Sequence, residues 1–98
     1  MKRRDTAEAT GQAKRELCAV LAALGTAEEI DAFLTDLCTD AELEALCDRW
    51  RVAPLAAEGV PYREISERTG VSVTTVGRVA KCVERGAGGY RAALRHRP

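Results

Sequence analysis

Residues 62–81 have the sequence YREISERTGVSVTTVGRVAK, which carries the most specific structural signal in the chain. It has the pattern of a helix, a tight turn and a second helix. Gly70 falls in the turn, where a residue that adopts a positive φ at little steric cost lets the chain reverse sharply. Four apolar residues have the spacing with which the two helices of a helix-turn-helix pack on each other: Ile65, Val71, Val76 and Val79.

The second helix of this stretch, predicted over residues 73–85 with Ser72 as its N-cap, has two chemically different faces at about 100° per residue. One face is apolar and carries Val76, Val79, Ala80 and Val83. The opposite face carries Thr74, Arg78, Lys81 and Arg85, with no acidic residue among them. A helix that reads the major groove needs short side chains near its N-terminus for base edges and cations for phosphates.

These patterns predict a DNA-binding surface on both helices. On the first helix we expect Arg63, Ser66 and Arg68 to hold the DNA backbone. On the second we expect contacts from Val73, Thr74, Thr75, Gly77, Arg78, Lys81 and Arg85. The competing interpretation is a plain pair of helices whose arginines are only solvated. The turn glycine, the valine spacing and the acid-free face occur together, and this combination favours DNA binding.

The rest of the chain also has helical patterns, and no segment alternates as a strand does. We predict a flexible segment over 1–10 and a helical domain over 11–98, in which 11–58 supply core and dimerisation helices, 61–85 the helix-turn-helix and 90–97 a last helix. The first helix is expected over residues 12–24. The fold class is therefore all-α.

Capping signals mark where the second and third helices begin. Thr26 with Glu29, and Thr39 with Glu42, have the spacing of a capping box. Pro54 predicts a kink, or an end followed by a separate short helix, because its ring crowds the preceding turn. The buried face of the third helix is expected to hold Leu43, Leu46, Cys47 and Trp50.

Composition narrows the class of protein. The 98 residues suit one small domain. The longest apolar run, residues 18–24, is far shorter than the roughly 20 residues that cross a membrane, so we expect a cytoplasmic protein without a membrane partner. The first two helices carry more apolar surface than so short a chain buries alone, which favours a homodimer over a compact monomer.

Charge is unevenly distributed although the net charge is zero. Residues 26–58 hold two basic and nine acidic groups, a net of −7, whereas residues 60–98 hold eight basic and three acidic groups, a net of +5. A basic half behind an acidic half favours a polyanion, such as double-stranded DNA, as the partner of the C-terminal part.

The cysteines and the histidine point to no metal site or catalytic site. The cysteines at positions 18, 38, 47 and 82 include no Cys-x-x-Cys pair, and His96 is the only histidine. We therefore expect no metal, and apolar thiols in a reduced compartment, with a redox-sensing thiol as the lesser alternative. No nucleophile with a nearby base and no phosphate-binding glycine loop is evident, so we do not expect an enzyme.

Residues 37–94 resemble the Trp repressor superfamily, most closely its YerC/YecD branch of TrpR-related proteins. The resemblance is carried by LCT at the start of the third helix, DRWR, TGVSVTTVGRV, and the GAGGYRAAL tail. It implies an intertwined homodimer with one helix-turn-helix per subunit and a role in transcriptional regulation.

The same resemblance implies an effector pocket between the third helix and the recognition helix. Thr39, Arg49 and Arg78 match three positions that hold tryptophan in the Trp repressor, while Cys82 stands in place of a serine. Val79 stands in place of a glycine beside the ligand, and its three extra carbons would overfill the indole slot. We therefore expect no cofactor and no tryptophan corepressor.

Three functions remain open from the sequence. The leading one is a dimeric, sequence-specific transcriptional regulator that reads the major groove of double-stranded DNA. The second adds a small-molecule effector near Thr39, Arg49 and Arg78. The third is a protein-interaction adaptor with a vestigial helix-turn-helix, in which the acidic middle section contacts the partner.

Overall fold

The protein is all-helical in its computed structural model, which describes residues 6–97. Six helices follow one another along the chain, and this part contains no strand: α1 Thr6–Ala23, α2 Ala27–Leu37, α3 Asp40–Ala57, α4 Tyr62–Thr69, α5 Val73–Arg85 and α6 Gly89–Arg95. The expected all-α class is confirmed. The chain divides between Thr39 and Asp40 into two compact units, with α1 and α2 in the first and α3 to α6 in the second.

The first unit consists of two helices joined by a capped turn. The Thr26 hydroxyl accepts a hydrogen bond from the Glu29 amide over 3.1 Å, and the Glu29 carboxylate accepts one from the Gly25 amide over 2.9 Å. The predicted capping box is therefore present, with its return bond one residue earlier than Thr26. The first bond satisfies an amide in the first turn of α2, which has no partner within the helix, and the second ties the residue before the cap to the same turn.

The first helix is longer than the sequence predicted. It begins at Thr6, so residues 6–10, expected in the flexible segment 1–10, are helical. Residues 1–5 of that predicted segment lie outside the described residues. The error has a physical cause, because the polar composition of this stretch gave no apolar stripe, although alanine and glutamate are good helix formers.

The second unit contains the hydrophobic core. Among residues 6–97, seven are buried: Val52, Ala53, Ile65, Val71, Val76, Val79 and Val83. They come from α3, α4, the turn after α4, and α5. In this unit α3 packs against α4, α5 and α6, and α5 packs against α4 and α6. The valine face predicted for α5 is thus the face that meets α3 and α4.

The buried face predicted for α3 was wrong within the single chain. Leu46, Cys47 and Trp50 are exposed and Leu43 is only half-buried, whereas Val52 and Ala53 are completely buried. Leu46, Trp50 and Ala53 lie at i, i+4 and i+7 and so share one stripe of α3. The difference therefore runs along the helix: Leu46 and Trp50 stay exposed, whereas the last turns, from Val52 onward, meet the core of their own chain.

The helix α3 runs through Pro54, which it contains in its last turn. Of the two alternatives predicted for this proline, a kink or an end, the end is therefore wrong. A proline inside a helix costs about 3 kcal/mol, and the complete burial of the adjacent Val52 and Ala53 helps to offset that cost. The helix ends beyond it in a Schellman motif: the Val60 amide donates to the Leu55 carbonyl, and the amide of Gly59, at φ +82°, donates to the Ala56 carbonyl.

Candidate nucleic-acid interface

The turn between α4 and α5 is closed by backbone and hydroxyl hydrogen bonds. Gly70 adopts φ +79°, as the sequence predicted, and its amide donates to the Ser66 carbonyl over 2.8 Å. The Thr69 hydroxyl donates to the Ile65 carbonyl over 2.7 Å and accepts from the Val71 amide over 3.1 Å. Val71 is buried between the helices, so the turn holds α4 and α5 at one fixed angle.

The start of α5 is capped by Ser72, as predicted. Its hydroxyl accepts from the Thr75 amide over 3.2 Å and lies 3.1 Å from the Thr75 hydroxyl. Thr75 is therefore engaged in the cap and is half-buried, whereas the neighbouring Thr74 is exposed. These two threonines, both predicted as DNA contacts, lie in different surroundings.

The face of α5 opposite the core is open to solvent and cationic. Val76, Val79 and Val83 are buried. The opposite face presents four exposed side chains that form no hydrogen bond or ion pair with residues 6–97: Thr74, Arg78, Lys81 and Arg85. Since no described acid neutralises the three cations, this face is available to an anionic surface such as a row of phosphates.

The three residues of α4 that were predicted to contact the DNA backbone lie in different surroundings. Arg63 is exposed and has no described partner. Arg68 forms an ion pair with Glu64 over 3.4 Å, with both side chains 53% exposed; so exposed a pair contributes little and is easily exchanged for another anion. Ser66 is half-buried.

The remaining predicted contacts lie at the flank of α5. Val73 is exposed. Gly77 has the ring of Tyr62 beside it, with Cε2 3.5 Å from the position that a Cβ would take. On α5 the structure thus places Thr74, Arg78, Lys81 and Arg85 on one exposed face, whereas Thr75 lies in the cap and Gly77 is covered on one flank by an aromatic ring.

A cleft of about 320 Å³ opens on the other flank of α5, in the second unit. Its lining comprises Arg49, Thr75, Arg78, Val79, Cys82 and Tyr90. Three of the four effector residues named above, Arg49, Arg78 and Cys82, therefore meet in one cleft. Thr39 belongs to the first unit and is absent from this lining.

An apolar groove of about 480 Å³ adjoins this cleft, since Cys82 and Tyr90 line both. The other lining residues are Trp50, Ala87, Gly89 and Ala93. Trp50 is 37% exposed and Leu46, one turn before it on α3, is 40% exposed. Large apolar side chains are thus open to solvent in the single chain, where they carry a cost that burial would remove.

The part of the chain that the structure describes contains neither a cluster of metal-binding side chains nor a helix that could cross a membrane. Within residues 6–97 no three His, Cys, Asp or Glu side chains stand close enough to hold a metal ion. Over the same residues, none of the helices has the length and apolarity to cross a bilayer. The four cysteines are free thiols.

Two side chains that the sequence analysis did not single out prove to position α5. Tyr62 packs on Gly77. Arg91 donates from Nε to the Val83 carbonyl over 2.9 Å and from Nη2 to the Glu84 carbonyl over 2.8 Å, which caps the C-terminus of α5. For the contact of Arg91, the only signal in the sequence was a basic residue shortly after the glycines that follow α5.

Comparison with known proteins agrees with this arrangement. The sequence model of a family described as "Trp repressor protein" matches residues 12–97. A protein of Bacillus subtilis (strain 168), described as "Uncharacterized protein YerC", is 40% identical to the chain over 67 residues. That alignment covers 68% of this chain and 64% of the relative, so the chain spans less than two thirds of that relative's length.

Proposed function

The chain belongs to the Trp repressor family, and from this premise we propose that it is a dimeric transcriptional regulator that binds double-stranded DNA. In this proposal α4, its turn and α5 form a helix-turn-helix, and α5 enters the major groove. The protein acts as a binding module and not as an enzyme, on DNA in the cytoplasm.

The observation that carries the proposal is the outward face of α5. Its three cations are exposed and no described acid neutralises them, while the hydroxyl of Thr74 stands at the N-terminal end. Cations that meet phosphates supply most of the affinity of such a protein, and short side chains near the helix start can reach base edges. The buried valines on the opposite face of α5 pack against the core and so fix the position of the helix.

Unpartnered apolar side chains support dimerisation. Helices α1 and α2 contain no buried residue, and α3 leaves Leu46 and Trp50 exposed. A second copy of the chain would cover such faces, and a two-fold dimer presents two copies of α5 to DNA. The proposal therefore includes an operator with two-fold symmetry whose half-sites lie about 34–36 Å apart.

Selection from randomised duplexes at two salt concentrations, followed by binding titrations of the selected site, tests the proposal. Arg78→Ala should weaken binding and reduce the slope of log affinity against log salt by about one unit. Arg51→Ala is the matched control, because Arg51 is paired with Asp48 on α3 over 2.7 Å. No retention of any duplex by the unaltered protein at low salt would refute the proposal.

The cleft beside α5 favours a second candidate, in which a small anionic effector tunes DNA binding. Arg49 and Arg78 both line it, and two guanidinium groups suit a carboxylate or phosphate. We do not propose tryptophan as that effector. Val79 fills one wall with its branched side chain, and the weak hydrogen-bonding thiol of Cys82 is a poor partner for an ammonium group.

Calorimetric titration separates these two candidates. An effector-responsive regulator should bind at least one member of a panel of small carboxylates and phosphates, and Arg49→Ala should abolish that heat. Tryptophan should give none. Heat from no member of the panel would leave the effector-independent regulator as the function.

A further inference from the structure

The ring of Tyr62 rests on Gly77, on the flank of α5 that faces the start of α4. A Cβ built on Gly77 would lie 3.5 Å from Cε2 and 3.8 Å from Cδ2 of this ring. These are ordinary van der Waals separations, so the edge of the ring meets the glycine closely and without strain. An alanine at position 77 would therefore still leave room for the ring beside α5.

The backbone of Tyr62 is fixed by its place at the start of α4, whereas its hydroxyl is open to solvent. Tyr62 is the first residue of α4 and follows Pro61, whose φ of −58° fixes the entry of the chain into the helix. Nevertheless Tyr62 is 46% exposed, and its hydroxyl forms no hydrogen bond with residues 6–97. Tyrosine hydroxyls usually have a hydrogen-bond partner where they are buried, so a ligand that covers this ring would need to supply an acceptor.

The ring also lies next to the cationic face of α5. Thr74 precedes Gly77 by three residues and Lys81 follows it by four, so both are its neighbours on the same side of the helix. Arg63, adjacent to Tyr62 in the chain, is exposed as well. The nearest acid along this flank of α5, Glu84, is seven residues from Gly77, or about 10 Å along the helix, and it lines the same cleft as Tyr62, together with Arg91.

We propose that Tyr62 is a further DNA contact of this protein, and this inference rests on the proposed function. Seated on Gly77, its hydroxyl donates a hydrogen bond to a backbone phosphate at the edge of the groove that α5 enters. Tyrosine is among the side chains that make such contacts, which fix the position of a protein on the duplex without reading its sequence.

The expected signature follows from the chemistry of a neutral donor. Loss of one hydrogen bond of this kind should reduce affinity about two- to tenfold. Because a phenol carries no charge, its loss should leave the salt slope unchanged, unlike the loss of Arg78. Because a phosphate contact reads no base, the reduction should be equal on the selected site and on unrelated duplexes.

Tyr62→Phe is the informative variant, because it keeps the ring on Gly77 and removes only the hydroxyl. Thr35→Val is the control: it also removes a hydroxyl, but this one bonds to Asp31 on its own helix, α2. Binding of both variants should be measured on the selected duplex and on duplexes that carry a single neutral methylphosphonate at successive backbone positions. Thermal unfolding of both variants should be recorded in parallel.

The inference predicts one backbone position at which a methylphosphonate lowers the affinity of the unaltered protein for the duplex. The same methylphosphonate should not lower the affinity of Tyr62→Phe any further, since both changes remove the same bond. Equal affinity of Tyr62→Phe and the unaltered protein would overturn it, as would a loss of affinity that accompanies a lower unfolding temperature. If the unaltered protein binds no duplex, the proposed function fails and this contact fails with it. If the unaltered protein binds and only Arg78→Ala weakens binding, the proposed function stands and the Tyr62 contact is wrong.

Discussion

The guanidinium of Arg91, on α6, donates a hydrogen bond from Nε to the backbone carbonyl of Val83, on α5, over 2.9 Å. Val83 belongs to the hydrophobic core, and its carbonyl is one of the last four of α5, which have no partner within the helix. A second donor of the same guanidinium serves the Glu84 carbonyl. One side chain therefore fixes α6 to the end of the proposed recognition helix.

Arg91→Ala should lower the free energy of unfolding by about 1–2 kcal/mol, because it removes two charge-assisted hydrogen bonds from partly solvated carbonyls. For a chain of this size each kcal/mol lowers the unfolding temperature by about 4–8 °C. Thermal unfolding followed by circular dichroism measures the loss. Arg95→Ala, on the same helix, is the control. An equal, small effect of both variants would contradict the assigned role of Arg91.

The glycines at positions 70 and 77 should respond in opposite directions to alanine. Gly70→Ala places a Cβ on a residue at φ +79°, which costs about 1–2 kcal/mol. Gly77→Ala adds a Cβ inside a helix at an ordinary contact distance from Tyr62 and should gain about 0.5–1 kcal/mol. Denaturant titration of both variants checks the signs. A stabilising Gly70→Ala would show that the turn differs from the one described.

The cap of α5 should be measurable through Ser72→Ala. This change removes the hydroxyl that accepts from the Thr75 amide and should cost about 0.5–2 kcal/mol. Ser66→Ala is the control, since Ser66 lies inside α4, where alanine is the better helix former. Both can be compared in one urea series. The assignment of the cap would be untenable if Ser66→Ala were the more damaging of the two.

Thr74 and Lys81 should affect DNA binding in different ways. Lys81→Ala should weaken binding to every duplex by a similar factor and reduce the salt slope by about one unit, as expected of a phosphate contact. Thr74→Ala should leave the slope unchanged and relax the preference at one base pair. Repeating the selection with each variant distinguishes the two effects. Identical selected sequences for Thr74→Ala and the unaltered protein would remove Thr74 from base recognition.

Self-association should depend on the exposed apolar side chains of α3, Leu46 and Trp50. Leu46→Glu places a charge among them and should shift the protein from dimer to monomer at micromolar concentration, because an unpaired charge is costly to bury. Ala41→Glu, in the first turn of α3, supplies the same charge as a control. Sedimentation velocity measures the oligomeric state of both variants. A dimer that withstands Leu46→Glu would place the interface elsewhere.

The sequence predicted α5 almost completely, because the signals that define it are local. The cap at Ser72, the left-handed Gly70 and the valine spacing act within a few residues of one another, and the bounds 73–85 agree with the structure. The capping box at Thr26 is local in the same sense and was also confirmed.

What the sequence could not predict depends on contacts between distant residues. Periodicity located an apolar face on α3 but could not tell that its own chain covers Val52 and Ala53 instead of Trp50. The burial of Val52 and Ala53 also helps to offset the cost of Pro54, so that α3 continues past this residue. Tyr62 and Gly77 are brought together only because the turn at Gly70 folds α4 onto α5. Proximity of this kind is not encoded in any single window of residues.

In the part of the chain that the structure describes, the seven core residues all lie between Val52 and Val83, and this placement has a kinetic consequence. Contacts between residues so near in sequence have a low contact order and a small loop-closure cost, and helical chains of this type fold in microseconds to milliseconds. Refolding should therefore begin with a rapid phase that is independent of protein concentration. If the proposed dimer forms, pairing of chains follows as a slower phase that accelerates with concentration, so each newly made polypeptide completes the unit that begins at Asp40 before it meets a second copy.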